Sequence, residues 1–213
     1  MALLSQELND YIVGQTRFDD PIVLEMEERA ARDGFPIIGP AVGPWLYFFT
    51  RLLKASHVFE MGSGFGYSTW FFARGIKDNG GGTVTHTVWD EGLSRDARGY
   101  LERSGLADQC DFQVSESVLA LSGAASGIDI IFCDIDKEMY PNALDVVESK
   151  LKPGGLFICD NLLWDGKVMA ATAEGDEATA GVKEITRMLR ESPRWDFLLT
   201  PLRDGVGFAR FNG

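Results

Sequence analysis

Hydrophobic positions follow two regimes along the chain. Up to residue 56 they recur at helical spacing. Ile22, Val23, Met26 and Ala30 follow Asp20 and Pro21, an N-cap and a proline in the first helical turn, and Gly34 and Pro36 close the segment. A second helix is predicted over 41–55, rich in apolar residues from Trp45 to Leu53. Glu25 with Arg29, and Glu28 with Arg32, stand at the i,i+4 spacing of surface ion pairs. From residue 57 short apolar runs alternate with helical stretches. Strands are predicted at 57–60, 83–89, 111–115, 128–133 and 155–159, and helices at 66–75, 93–104, 140–150 and 176–191. Strands at 195–201 and 206–211 flank Arg203, Asp204 and Gly205, a hairpin signal. Alternating strands and helices predict an α/β fold: a mostly parallel sheet covered on both faces, with one antiparallel strand from the hairpin. The chain divides into an N-terminal helical extension, 1–56, packed on a core domain, 57–213. The small, polar stretch 165–178 is a candidate mobile loop.

Composition narrows the function. With 213 residues, 45% apolar, the chain can bury a core without disulfides or a structural metal. The net charge of −12 argues against a nucleic-acid partner. No apolar run approaches a membrane span, and the first ten residues lack the features of a signal peptide. Cys110, Cys133 and Cys159 are an odd set in apolar stretches, expected to be reduced thiols of a cytoplasmic protein. His57 and His86 read as structural, and the aromatics at 45–49 suit either a core helix or a homodimer surface.

Chemistry enters where the apolar runs end. Four of them close on a carboxylate: Glu60, Asp90, Asp134 and Asp160. Ligands of open α/β sheets bind beyond the carboxyl ends of the strands, so these acids predict a negative crevice. Gly62, Gly64 and Gly66 follow Glu60 and allow close backbone approach to a ligand, whereas Tyr67 stands where a dinucleotide fingerprint needs glycine. That weakens a nicotinamide- or flavin-dependent oxidoreductase. The fourth and fifth strands are expected to pair, placing Asp134 beside Asp160 and Asn161. Two carboxylates and an amide oxygen form a hard, incomplete shell suited to Mg²⁺ or a similar ion. Read without that chemistry, the same residues are ordinary turn starters. Lys137, one short turn from Asp134, is a candidate base once neighbouring positive charge depresses its pKa.

These stretches resemble the cation-dependent O-methyltransferases, the group that includes catechol and caffeoyl-CoA O-methyltransferases. The likeness begins near Asp20 and Pro21 and at 36–40. It is strongest at 58–68, 129–140 and 152–168, and persists through 201–205. It implies a Rossmann-like seven-stranded sheet with an antiparallel last strand, and methyl transfer from S-adenosylmethionine (SAM) to a small aromatic acceptor bearing adjacent hydroxyls. By position, Asp134, Asp160 and Asn161 match the metal ligands and Lys137 the base. Glu60, Gly62, Gly64 and Ser68 match the turn around the methionine part of SAM. Ser117 falls near the adenine, Asp134 near the donor methyl, and Trp164 matches an aromatic over the acceptor ring. One position departs. Val88 stands where the family has the glutamate that binds the SAM ribose, with Asp90 or Glu91 as substitutes and Trp89 as an adenine neighbour. The alternative reading is a SAM-binding protein whose catalysis is weak or lost. A CoA-thioester acceptor would want a basic patch, for which Arg17, Arg29 and Arg32 are the available residues.

Overall fold

Asp20 caps helix α2 (Pro21–Asp33) by accepting from the Ile22 N–H at 2.9 Å, and Gly34 ends it with φ +64°. The computed structural model describes residues 5–16 and 18–213; Arg17 lies outside them. Before α2 comes α1 (Gln6–Thr16), and after it α3 (Gly39–Leu52). The alternating region runs β1 (His57–Met61), α4 (Tyr67–Asn79), β2 (Thr83–Val88), α5 (Glu91–Arg103), β3 (Cys110–Val114), α6 (Ser117–Gly123) and β4 (Ile128–Cys133). It continues with α7 (Tyr140–Lys150), β5 (Leu151–Cys159), α8 (Glu177–Glu191), β6 (Trp195–Thr200) and β7 (Val206–Phe211). The seven strands form one sheet in the order β3-β2-β1-β4-β5-β7-β6, with β7 antiparallel to both its neighbours.

Side-chain alternation along each strand divides the core into two layers. Val58, Ile130, Phe132, Leu156 and Ile158 face the layer that includes Val23 and Met26 of α2, Leu46 of α3 and Trp70 and Phe71 of α4. Phe59, Ile131, Cys133, Phe157 and Cys159 face the layer formed with α6, α7 and α8. Helices α2 and α3 therefore share a core with the sheet. Helix α4 runs four residues past its predicted end because Gly75 lies against Thr50 of α3, where a Cβ would come within 2.7 Å, and Gly80 supplies the cap.

Several local expectations change. The i,i+4 pairs on α2 give way to partners on α5 and at the helix end. Glu25 binds Arg103, Arg29 binds Asp96 at 2.7 Å, and Arg32 binds Asp33 at 2.8 Å. Arg29 and Arg32, engaged by carboxylates, form no free basic patch. Strand β5 starts at Leu151 rather than 155, across an irregularity in its pairing with β4. Helix α6 is too short to announce itself by periodicity; Glu116 caps it, accepting from Val118 and Leu119. Cys110 is only half-buried, unlike Cys133 and Cys159. On α3, Phe48 and Leu52 are exposed while Leu46 and Thr50 are buried. Among the described residues, no helix is long and apolar enough to cross a membrane.

Candidate active site

The strand order reverses between β1 and β4, so the connections that leave their carboxyl ends part in opposite directions and leave a crevice at the switch point. The glycine turn leaves β1 there. Gly62, Gly64 and Gly66 have φ of +84°, +51° and +91°. Gly62 also lies against β4: a Cβ on it would fall 2.2 Å from the Asp134 carbonyl oxygen. Gly66 caps α4 without a side-chain bond, which leaves the first N–H groups of that helix to a ligand. Residues 35–38 cross over the turn, with Phe35 packed on Phe65 at 5.0 Å. The cleft between them is lined by Gly62, Gly64, Ser68 and Asp134.

Strands β4 and β5 pair in parallel with Cys133 opposite Cys159, which carries Asp134 and Asp160 to adjacent tips. Asp160 is wholly buried. Its Oδ2 accepts from Arg203 at 3.1 Å, and its Oδ1 is buried without a hydrogen-bond partner. Burial first, then the charge of Asp134, raises the Asp160 pKa to about 6, against the pull of Arg203. Asn161 follows with φ +60°, and its amide nitrogen faces Asp204 at 3.4 Å. Asp204 also accepts from the Asp165 N–H at 2.6 Å, tying the hairpin tip to the loop after β5. An orphaned buried carboxylate oxygen beside a second carboxylate and an amide suits a hard cation in donor type. Arg203 already occupies one oxygen of that set. Among the described residues, no three His, Cys, Asp or Glu side chains converge as a metal cluster.

Lys137 donates to Asp134 Oδ1 at 2.9 Å and to the Ile135 carbonyl at 3.0 Å. Its ammonium lies 4.9 Å from the Tyr140 ring centre and 5.9 Å from that of Trp164. Burial works against its charge, but Asp134, Cys159 and Asp160 hold its pKa above the usual lysine range. In this arrangement Lys137 holds its proton, and would serve as a base only once relieved of it. Trp164 has φ +47° and an indole N–H that is buried and unpaired. The predicted loop 165–178 opens with a short helical turn, Trp164–Met169.

The four strand-tip acids do not share one crevice. Glu60 points into the core below the turn and is wholly buried, accepting from the Thr69 hydroxyl, which also contacts His86 Nδ1 at 3.1 Å. Asp90 lies just past the carboxyl end of β2, where it caps α5 through the Leu93 N–H at 2.8 Å. Val88 is buried, Trp89 projects into solvent, and Ser117 accepts from Thr87 at 3.1 Å. Arg203 and the covering residues 35–38 were given no site role from sequence: both lie in stretches that share the resemblance, but neither offers a chemistry-bearing spacing of its own.

Burial raises the Glu60 pKa from 4.5 to about 7, partly offset by the hydroxyls of Ser68, Thr69 and Ser63. Burial lowers that of His86 from 6.5 to about 3, with the charge of Arg98 adding to it. Between pH 4.5 and 6.5 folding therefore takes up one proton at Glu60 and releases one at His86, and the two slopes cancel. Glu60→Gln removes only the first. Its unfolding free energy should then rise with pH by roughly 1 kcal/mol per unit across that window, relative to wild type. Urea unfolding at several pH values tests this; parallel curves for the two proteins would refute it.

A sheet in this order, with a glycine turn at its switch point and an acid closing the neighbouring strand, is a Rossmann-like fold with its ligand crevice at the topological switch point. A family model described as O-methyltransferase matches residues 17–211, and the chain belongs to that family. It is 26% identical to a catechol O-methyltransferase of Niastella koreensis, covering 98% of this chain and 94% of the relative. It is 27% identical to a caffeoyl-CoA O-methyltransferase of Stellaria longipes, covering 98% and 91%. The crystal structure of an O-methyltransferase from Bacillus cereus in complex with SAH superposes with a TM-score of 0.85 at 24% identity, covering 96% of this chain and 97% of that one.

Proposed function

We propose that this O-methyltransferase acts on a hydroxyl of a small catechol-like or other vicinal-diol aromatic acceptor, with a divalent cation held by Asp134, Asp160 and Asn161. The observation that carries this reading is the pairing of β4 with β5, which sets two carboxylates side by side at the edge of the glycine cleft. The relatives named for catechol and caffeoyl-CoA support a phenolic acceptor. With Arg29 and Arg32 bound to acids, the small acceptor is favoured over a CoA thioester.

When bound, SAM would supply an electrophilic methyl group and the cation would supply Lewis acidity toward the acceptor hydroxyl. The chain does the rest. Gly62, Gly64, Ser68 and the open end of α4 hold the methionine part, with the buried Glu60 supporting the turn through Thr69. Asp134 faces both the methionine cleft and Lys137. Lys137 Nζ takes the acceptor proton after giving up its own. Trp164 covers the acceptor ring, and Ser117 and Asp90 flank the nucleoside end. Fixed placement of the two reactants contributes several kcal/mol to such a transfer.

The test is methyl transfer from SAM to catechol, assayed with and without EDTA. Turnover that is lost in EDTA and restored by Mg²⁺ supports the reading; equal turnover in both removes the cation from it.

Val88 leaves the ribose without the charged acceptor that the resemblance implies, and Asp90 Oδ1 is committed to capping α5. Restoring the acid should show in binding. Val88→Glu is expected to tighten SAM roughly 10- to 100-fold by calorimetry, the worth of a charge-assisted hydrogen bond. An unchanged affinity would mean that the ribose is held elsewhere.

A further inference from the structure

The tip of the β6–β7 hairpin reaches across the sheet edge into the site. Arg203 sits there with φ +49°, a backbone conformation that a non-glycine residue adopts at some cost. Its Nη2 donates to Asp160 Oδ2 at 3.1 Å and its Nη1 donates to the Ile37 carbonyl. One guanidinium thus joins three segments: the hairpin, the strand-tip carboxylate and the residues that cover the glycine turn.

The two basic groups at this site are not equally free to leave. Lys137, the partner of Asp134, has a side chain only 11% exposed and packed against Tyr140. The Arg203 side chain is 31% exposed and stands on a hairpin tip, so it can turn to water with little desolvation, while Asp160 is wholly buried and cannot. A cation approaching this carboxylate pair meets Arg203 as its competitor for the same charge.

We propose that Arg203 is the resident counter-charge of Asp160, which a divalent cation must displace, and that this exchange frees the Ile37 carbonyl and loosens the cover formed by residues 35–38. The proposal rests on the cation reading given above. It makes cation loading and access to the cleft two aspects of one equilibrium, set by a residue that itself ligates nothing. Arg203 is in this sense a positioning residue.

The test is Mn²⁺ titration of wild type, Arg203→Gln and Asp160→Asn, followed by the paramagnetic resonance of free Mn²⁺. Arg203→Gln should bind Mn²⁺ roughly 10- to 100-fold more tightly than wild type, and Asp160→Asn should bind it far more weakly than either. Equal affinities of wild type and Arg203→Gln would overturn the role of Arg203 and leave the cation reading standing. No uptake by either protein would overturn the cation reading, and this proposal with it. A second measurement needs no variant: in wild type, Mn²⁺ should speed hydrogen exchange at the amides of Ile37, Ile38 and Gly39. Exchange unchanged by Mn²⁺ at saturation would overturn the coupling to the cover.

Discussion

Asp160→Ala is expected to lower kcat/KM for a catechol acceptor by roughly 1,000-fold, the scale of several kcal/mol of lost charge stabilisation. SAM affinity, measured by calorimetry, should stay within about threefold of wild type, because the methionine cleft is lined by the glycine turn, Asp134 and residues 35–38, without Asp160. The reason for so local an effect is the position of the residue. Asp160 is wholly buried at the tip of β5, with one oxygen on Arg203 and the other unpartnered. Removing it takes away the carboxylate that faces the proposed ion and leaves the Arg203 charge to solvent. Full activity of this variant in EDTA would end the cation mechanism. Loss of SAM binding together with activity would instead assign Asp160 a structural part in the cleft.

The second large effect is expected at the other wall. Gly62→Ala should weaken SAM roughly 100-fold or more and lower the melting temperature. The new Cβ would lie 2.2 Å from the Asp134 carbonyl oxygen, and φ of +84° disfavours any side chain. The added methyl can be housed only by moving the turn away from β4, and a displacement near 1 Å is enough to cost about 100-fold at an active site. Gly99→Ala on α5 is the control. Nothing lies within 4 Å of a Cβ there, so alanine in mid-helix should stabilise the fold by about 1 kcal/mol. Normal SAM affinity in Gly62→Ala would show that the cleft does not hold the cofactor.

Methyl transfer thus depends on contacts with very different visibility in the sequence. The strands β1, β2, β4 and β5 are legible because each is an apolar run closed by an acid, with glycines or a helix start beyond it. The meeting of Asp134 and Asp160 is legible because sequential strands tend to pair, and these do. The orientation of Glu60 was not legible in this way. A strand residue points to one face or the other, and Glu60 shares the face of Val58, toward α4, rather than opening at the tip. The Glu25–Arg29 pairing failed for a related reason: i,i+4 spacing weighs only the helix's own charges, and α5 brings Arg103 and Asp96 alongside.

By itself the sequence determined the alternation of strands and helices, the glycine turn, the antiparallel closing hairpin and the residue types offered for chemistry. These follow from local spacing and backbone stereochemistry, which neighbouring residues carry in full. Only the tertiary structure decided that Arg203 neutralises Asp160, that residues 35–38 cover the turn, that Glu60 is buried below it and that Asp90 caps α5. Those outcomes depend on elements far apart in the chain, the Arg203–Ile37 bond joining residues 166 positions apart. Charge and packing between such segments are fixed by how whole layers dock, which no local pattern encodes.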